Sequence, residues 1–328
     1  MNTFTCFNCG SYKFKTLFLG KDRMFGLPGE FMVDECIDCG QISTHPELSN
    51  EEIEKYYPTD YLLFTSAIED EKNRFKRFDR KHGLDLRCRA VISNSKVKQG
   101  RILDIGCATG IFLHGMQLRS WECFGIEPSF HAADYARTRF DLQIITGYLK
   151  SEQFPDSFFD VITLWDVFEH LPSPIDTLNI INMILKPGGL LVITTPNIDS
   201  WTSKIFGKFW AGWELPRHYH VYSPRLLKSL LQKTGFDFSK FTSFTGNFGS
   251  SLLSFQFFLN EKVKNHHTRQ RIMNLFGSVP SRLLTYPYYK LAQIFAKGSS
   301  MTIFAQKNQG SPTGNNPLVL LSFVDISL

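Results

Sequence analysis

The tightest constraint on this chain is a glycine-bearing turn, Asp104-Ile105-Gly106-Cys107-Ala108-Thr109-Gly110, set between an apolar run and a helical one. Glycine lets the backbone turn sharply and lets a ligand approach the main chain closely. The helix opening there presents unpaired N–H donors. Such a turn alone is shared by dinucleotide, phosphate and other nucleotide sites, and by tight turns with no ligand. A dehydrogenase is disfavoured, because Gly106 is followed by Ala108 and the next glycine is Gly110, which is not G-x-G-x-x-G. The surrounding pattern extends the turn to a fold. Runs at Arg101–Ile105, Glu122–Ile126, Leu142–Thr146, Phe159–Leu164 and Leu190–Thr195 read as strands. They alternate with helical stretches at Ile111–Arg119, Ser129–Phe140 and Ser173–Leu185. Ser223-Pro224 starts another helix, and strands near Asp237–Phe244 and Met301–Gln306 complete seven. The expected fold is α/β: a Rossmann-like seven-stranded sheet with helices on both faces, preceded by a small module at the N-terminus.

That module reads as a zinc ribbon from two C-x-x-C-G knuckles, Cys6/Cys9/Gly10 and Cys36/Cys39/Gly40. Paired spacing lets two thiolates take adjacent corners of a tetrahedron, and the following glycine allows the turn. A redox C-x-x-C usually sits singly at a helix N-terminus. Four thiolates close the coordination shell, so the zinc is expected to be structural. Tyr12–Leu19 and Gly29–Asp34 read as ribbon strands, and Cys88, Cys107 and Cys123 as ordinary small residues.

Four zones follow: a zinc ribbon over 1–45, a helical linker with a cofactor-covering helix over 46–100, the α/β domain over 101–307, and a tail over 308–328. An apolar, aromatic segment at about 246–298 is too long for a plain connection and reads as an inserted pair of helices. The N-terminus has no basic segment followed by an apolar run, and no stretch is long and apolar enough to span a bilayer, so a cytoplasmic protein is expected. A net charge of +5 carries no strong nucleic-acid signal.

Glu127 ends the second strand, where a carboxylate can accept the ribose hydroxyls of an adenosine. Trp165-Asp166-Val167-Phe168-Glu169-His170-Leu171 follows the fourth strand, and Leu185-Lys186-Pro187-Gly188-Gly189-Leu190 reads as a helix end, a glycine turn and the fifth strand. With the 104–110 turn, these segments over about residues 75–307 resemble the class I S-adenosylmethionine-dependent methyltransferases, and more narrowly the branch of the ubiquinone-biosynthesis O-methyltransferases. The resemblance implies that Asp104, Gly106 and Gly110 shape the pocket for the methionine end of the cofactor and that Glu127 holds the ribose. It sets Tyr148 and Leu149 at the adenine and Trp165 beneath the sulfonium. Ala108 stands where the family has a glycine, and Tyr148 where many relatives have an acid.

Methyl transfer needs an aligned nucleophile and, for a hydroxyl, a proton acceptor. Asp166, Glu169 and His170 have helical i, i+3, i+4 spacing. In the resembling branch this pattern is associated with a divalent cation; the bland alternative is that Glu169 and His170 cap and orient the loop. The stretch Trp213–Pro224 offers His218 as a base and Arg217 as an anion ligand, or else a buried polar loop. The expected activity is S-adenosylmethionine-dependent methyl transfer to a small-molecule acceptor, at an oxygen of a sugar, phenol or lipid-linked intermediate. An RNA methyltransferase using the ribbon for nucleic-acid binding is the alternative, and a non-catalytic scaffold a third. The aromatic insertion is expected to serve as core packing, a homodimer interface, or a lid with peripheral membrane contact.

Overall fold

The computed structural model describes residues 4–58, 67–243 and 247–309. The chain opens with strands β1 (Phe14–Gly20), β2 (Phe31–Cys36) and β3 (Ile42–His45), then helices α1 (Asn50–Glu54) and α2 (Arg74–Asn94). The α/β part runs β4 (Arg101–Ile105), α3 (Ile111–Gln117), β5 (Glu122–Glu127), α4 (Phe130–Phe140), β6 (Gln143–Thr146), β7 (Phe159–Trp165), α5 (Pro174–Ile184) and β8 (Leu185–Pro196). It continues through α6 (Trp201–Phe206), β9 (His220–Val221), α7 (Pro224–Lys233), β10 (Phe236–Thr242), α8 (Asn247–Lys262), α9 (His266–Phe276), α10 (Val279–Ile294) and β11 (Ser300–Lys307).

Seven strands form one sheet in the order β10-β11-β8-β7-β4-β5-β6. β4 to β8 pair parallel with one another, and β11 is antiparallel to both β8 and β10. The inner strands are apolar almost throughout because both faces are covered. Alternate side chains divide between two cores: Leu103, Ile162 and Leu191 on one face, Ile102, Val161 and Val192 on the other. The α/β class with seven strands is as expected from sequence. So is the start of α7, where the Ser223 side chain accepts from the Leu226 N–H and Pro224 occupies the first turn.

Leu185 caps α5, its N–H bonding the Ile181 carbonyl, and Gly188 takes φ +71°, as the helix end and glycine turn require. A register shift between the Phe159–Leu185 and Val161–Leu190 pairs takes the Lys186–Gly189 segment into β8. One expectation needs correction. The insertion holds three helices, not two. Asn265 and Ser278 each cap a new helix through their side chains, and Pro280 follows Ser278 into the first turn of α10. The 310–328 part of the expected tail lies outside the described residues.

The N-terminal sheet is not built from the N-terminus alone. Its order is β1-β2-β3-β9, so its fourth strand comes from the α/β part. Ile42 pairs with Val221 and Ser43 with His220. Phe31, Val33 and Ile42 share one apolar cluster with Trp210, Trp213, Leu215 and Val221.

Candidate active site

Strand order reverses at β4: β5 and β6 lie to one side and β7 and β8 to the other. Ligands of open α/β sheets bind beyond the C-terminal strand ends at such a switch point. Three carboxylates converge there: Asp104 from β4, Glu127 from β5 and Asp166 just after β7. Asp104 and Glu127 are buried. Glu127 accepts backbone N–H bonds from Ala108 at 2.9 Å and Ser129 at 2.8 Å, which locks the glycine turn to the end of β5. Gly106 has φ +70°, and a Cβ there would meet a Val167 methyl at 2.5 Å, so the close approach requires glycine. Arg87 of α2 lies over the Trp165 ring at 5.3 Å. Its charge also opposes the rise in the Asp104 pKa, so α2 presents a cation to the acidic strand ends. S-adenosylmethionine carries positive sulfonium and ammonium groups, and a carboxylate-lined switch point fits it.

Burial pushes the Asp104 carboxyl from 3.8 up to about 7, against a hydrogen bond from the Thr163 hydroxyl at 2.6 Å. A group whose pKa rises on folding stabilises the fold below its unfolded pKa and loses that contribution as pH climbs through the folded value. Between about pH 4 and 7 the cofactor-free protein is therefore expected to lose stability through this residue. Asp104→Asn should melt several degrees above the parent at pH 8, with the gap closing below about pH 4 in thermal scans. Equal melting temperatures at pH 8 would contradict the assignment. Ala108 has φ +47°, a left-handed conformation that disfavours a side chain. Ala108→Gly is expected to stabilise the protein by about 0.5–1 kcal/mol in denaturant titration, after the entropic cost of glycine is deducted; a loss of stability would contradict it.

Tyr148 lies on the exposed rim, held by a loop whose Gly147 N–H bonds the Glu127 carbonyl at 3.0 Å. Leu149 is half-buried against the core. Trp165 is buried against Phe112, and its Nε1 has no partner among the described residues.

The second constellation is Glu169, His170 and His218, each offering a ligand atom within 4.8 Å of the others. Asp166 is not the third member, contrary to the helical spacing. Its φ of +56° breaks the segment, which forms only a 3-10 turn over Phe168–His170. His218 arrives instead from the loop after α6. His170 Nδ1 faces the Arg217 carbonyl at 2.9 Å and the Tyr57 hydroxyl at 3.1 Å. His218 Nδ1 faces the Gly212 carbonyl at 2.8 Å. A carbonyl can only accept, so both Nδ1 atoms carry the proton and both Nε2 atoms keep a lone pair. The His218 Nε2 lies 4.0 Å from Glu169 and 3.8 Å from Glu214. Burial lowers both imidazoles, His170 to about 3, so both are neutral at neutral pH. Burial, with Asp166 nearby, raises Glu169 well above its usual range, against the neighbouring Thr195 hydroxyl, and its Oε2 is buried without a well-formed hydrogen bond among the described residues. A buried carboxylate oxygen left in that state is costly unless a proton or cation satisfies it.

The loop carrying His218 is fastened to the N-terminal sheet. Arg217 is fully buried, donating to Asp22 at 2.8 Å, to Glu214 at 3.0 Å and to the Tyr56 carbonyl at 2.9 Å. Thr44 donates its hydroxyl to the His218 carbonyl at 2.8 Å, and Ser43 bonds His220 at 3.0 Å. Arg217 is therefore a scaffold for the loop and not a substrate ligand. Asp22, Tyr57 and Arg87 had no sequence signal, because their partners lie far away along the chain; Glu214 stands three residues from Arg217 and four from His218, a local spacing that could have found it.

The four cysteines converge as expected. Cys6 and Cys39 sulfurs lie 3.6 Å apart, as do those of Cys9 and Cys36. A tetrahedral site with Zn–S near 2.3 Å has sulfur edges of about 3.8 Å, so the arrangement fits a four-thiolate zinc ribbon. Gly10 and Gly40 take φ of +74° and +77° directly after each knuckle.

Similarity to known proteins agrees with this geometry. The methyltransferase-domain family matches residues 59–239. A ubiquinone biosynthesis O-methyltransferase of Alkalilimnicola ehrlichii is 30% identical over 141 residues, 40% of this chain and 57% of the relative. One from Roseobacter denitrificans is 32% identical over 160 residues, 45% of this chain and 64% of the relative. The matched stretch thus spans roughly six-tenths of those relatives' own length. A putative sarcosine dimethylglycine methyltransferase structure from Galdieria sulphuraria shares 13% identity at a TM-score of 0.47, covering 75% of this chain and 92% of that one. With the family matched across more than half its length, carboxylates at the switch point and the seven-stranded sheet, the chain belongs to the methyltransferase-domain family of the class I S-adenosylmethionine-dependent fold.

Proposed function

We propose that the chain transfers a methyl group from S-adenosylmethionine to an oxygen of a small-molecule acceptor. A phenol is the first candidate, because the relatives named above are ubiquinone biosynthesis O-methyltransferases. When bound, the cofactor supplies a methyl carbon activated by a positive sulfur. Asp104, Gly106 and Gly110 would hold its methionine end, Glu127 its ribose, Tyr148 and Leu149 its adenine, and Trp165 would lie beneath the sulfonium. As the acceptor oxygen bonds the methyl carbon, the carbon–sulfur bond breaks and the acceptor gives up its proton. His218 Nε2, a neutral lone pair in a buried setting, is the group suited to take it.

The observation that carries this reading is the Glu169–His170–His218 cluster, joined to the strand end that bears Asp166. The same two Nε2 lone pairs, with a Glu169 oxygen, would instead suit a divalent cation if drawn together from their present spacing, in place of proton transfer to His218. Held there, a cation would acidify an acceptor hydroxyl. The four cysteines would hold a separate, structural zinc. The bonds from the ribbon to the His218 loop give the module an internal task, so it does not favour the RNA alternative.

Cobalt(II) titrated into zinc-loaded protein should give a visible absorption band for one added site. The band should vanish in His170→Gln, and protein that takes up no second ion would overturn the cation site. His218→Gln should lower kcat by at least about 100-fold while leaving cofactor affinity unchanged, the scale of a lost general base or metal ligand. A variant with parent turnover would remove His218 from the chemistry.

A further inference from the structure

We propose that α9 and α10 form a docking surface for an anionic lipid bilayer. α10 turns most of its apolar residues outward, and α9 adds Leu275, while Phe276 packs on Phe248 and Phe255 of α8. No residue of α9 is buried and only Ala292 of α10 is. Leu275, Val279, Leu283, Leu284, Ile294 and Phe295 are between 61% and 83% exposed. On α10, Val279, Leu283, Tyr286, Lys290 and Ile294 follow one helical stripe, with Leu284, Leu291 and Phe295 beside it. An amphipathic helix in a globular domain presents the reverse pattern, so this face is built to be covered.

Charge says by what. Residues 262–307 hold eight of the chain's 36 Lys and Arg and none of its 31 Asp and Glu. The chain outside that segment is therefore net acidic by three charges, although the whole is +5. Lys262, Lys264, Arg271 and Lys290 are exposed around the apolar face. Lys290 lies 5.6 Å from the Tyr286 ring centre, and such long cationic stems beside aromatic rings suit the headgroup boundary. Nucleic acid would use the cations but not the large aliphatic side chains between them, whereas an interfacial helix uses both. None of the described helices is long and apolar enough to cross a membrane, so contact lies along the surface.

The hairpin also packs on α2 and α6. Arg282 pairs with Asp79 of α2 at 2.6 Å, and Tyr288 and Phe295 meet Trp201 of α6 at 5.6 and 6.2 Å. Ser254 of α8 accepts the Ala211 N–H at 2.8 Å, at the start of the segment leading to His218. The surface itself does not depend on the proposed methyl transfer.

Co-sedimentation of the full chain with phosphatidylglycerol–phosphatidylcholine vesicles tests the surface. Binding is expected at low salt, weakening as salt rises and as the phosphatidylglycerol fraction falls. The triple variant Leu283→Glu, Leu284→Glu, Ile294→Glu changes exposed positions and should keep the parent melting temperature while binding vesicles at least about tenfold more weakly. Three outcomes overturn the proposal. The parent fails to bind anionic vesicles at low salt. Binding survives the triple variant, which would assign it to another segment. The parent sediments as a dimer that the same variant dissociates, which would make a second copy the partner.

Discussion

Replacing Cys36 with serine is expected to release one zinc per chain and to abolish methyl transfer while leaving the cofactor bound as in the parent. Structural zinc contributes on the order of 10–16 kcal/mol in small four-ligand modules, far more than the short β1-β2-β3 sheet can supply by other means. The loss does not stop at the ribbon. β3 pairs with β9, Thr44 bonds the backbone of both His218 and Tyr219, and the ribbon core includes Trp210, Trp213 and Leu215. A loosened ribbon therefore frees the loop that carries His218. The seven-stranded sheet shares neither that core nor those bonds, so the cofactor site should survive. Metal analysis, turnover and cofactor calorimetry on one preparation read all three outcomes. A zinc-free variant with parent turnover would sever the ribbon from the active site.

Asp22→Ala is expected to cost about 3–5 kcal/mol in denaturant titration, the scale for removing one partner of a buried ion pair. Asp22 and Arg217 are both fully buried at their side chains. The carboxylate also accepts from the backbone N–H groups of Met24, Phe25 and Leu27, so it holds the β1–β2 connection and the His218 loop together. Its removal strands a guanidinium in the interior, still paired with Glu214 at 3.0 Å. Arg217→Met in the same background removes that charge and should recover a substantial part of the loss, because a desolvated pair is often matched by apolar packing. A single variant that loses less than about 1 kcal/mol, or a double variant less stable than the single, would contradict this account of the loop.

The sheet was legible in the sequence because parallel strands covered on both faces read as apolar runs, and because Gly106 and Gly110 mark the strand-to-helix turn. Cys6, Cys9, Cys36 and Cys39 were legible because their spacing is local. What escaped was the contact between distant segments. Ser43 and His220 pair across most of the chain, and neither carries a residue type that announces it. Asp166 was misplaced because helical spacing was assumed where a left-handed residue and a single 3-10 turn intervene, and His218 took its place. The third helix of the insertion did have local signals, Asn265 and Ser278-Val279-Pro280, which the apolar composition obscured.

The most direct measurement is calorimetric titration of the full chain with S-adenosylmethionine, beside Glu127→Ala. The parent should bind one molecule per chain. Loss of a charged hydrogen-bonding partner for the ribose, about 1.5–3 kcal/mol, should weaken the variant by about 10- to 150-fold. A parent that gives no binding heat and no protection from unfolding, or a Glu127→Ala chain that binds as tightly as the parent, would contradict the assignment of the β4–β5 strand ends as the cofactor site.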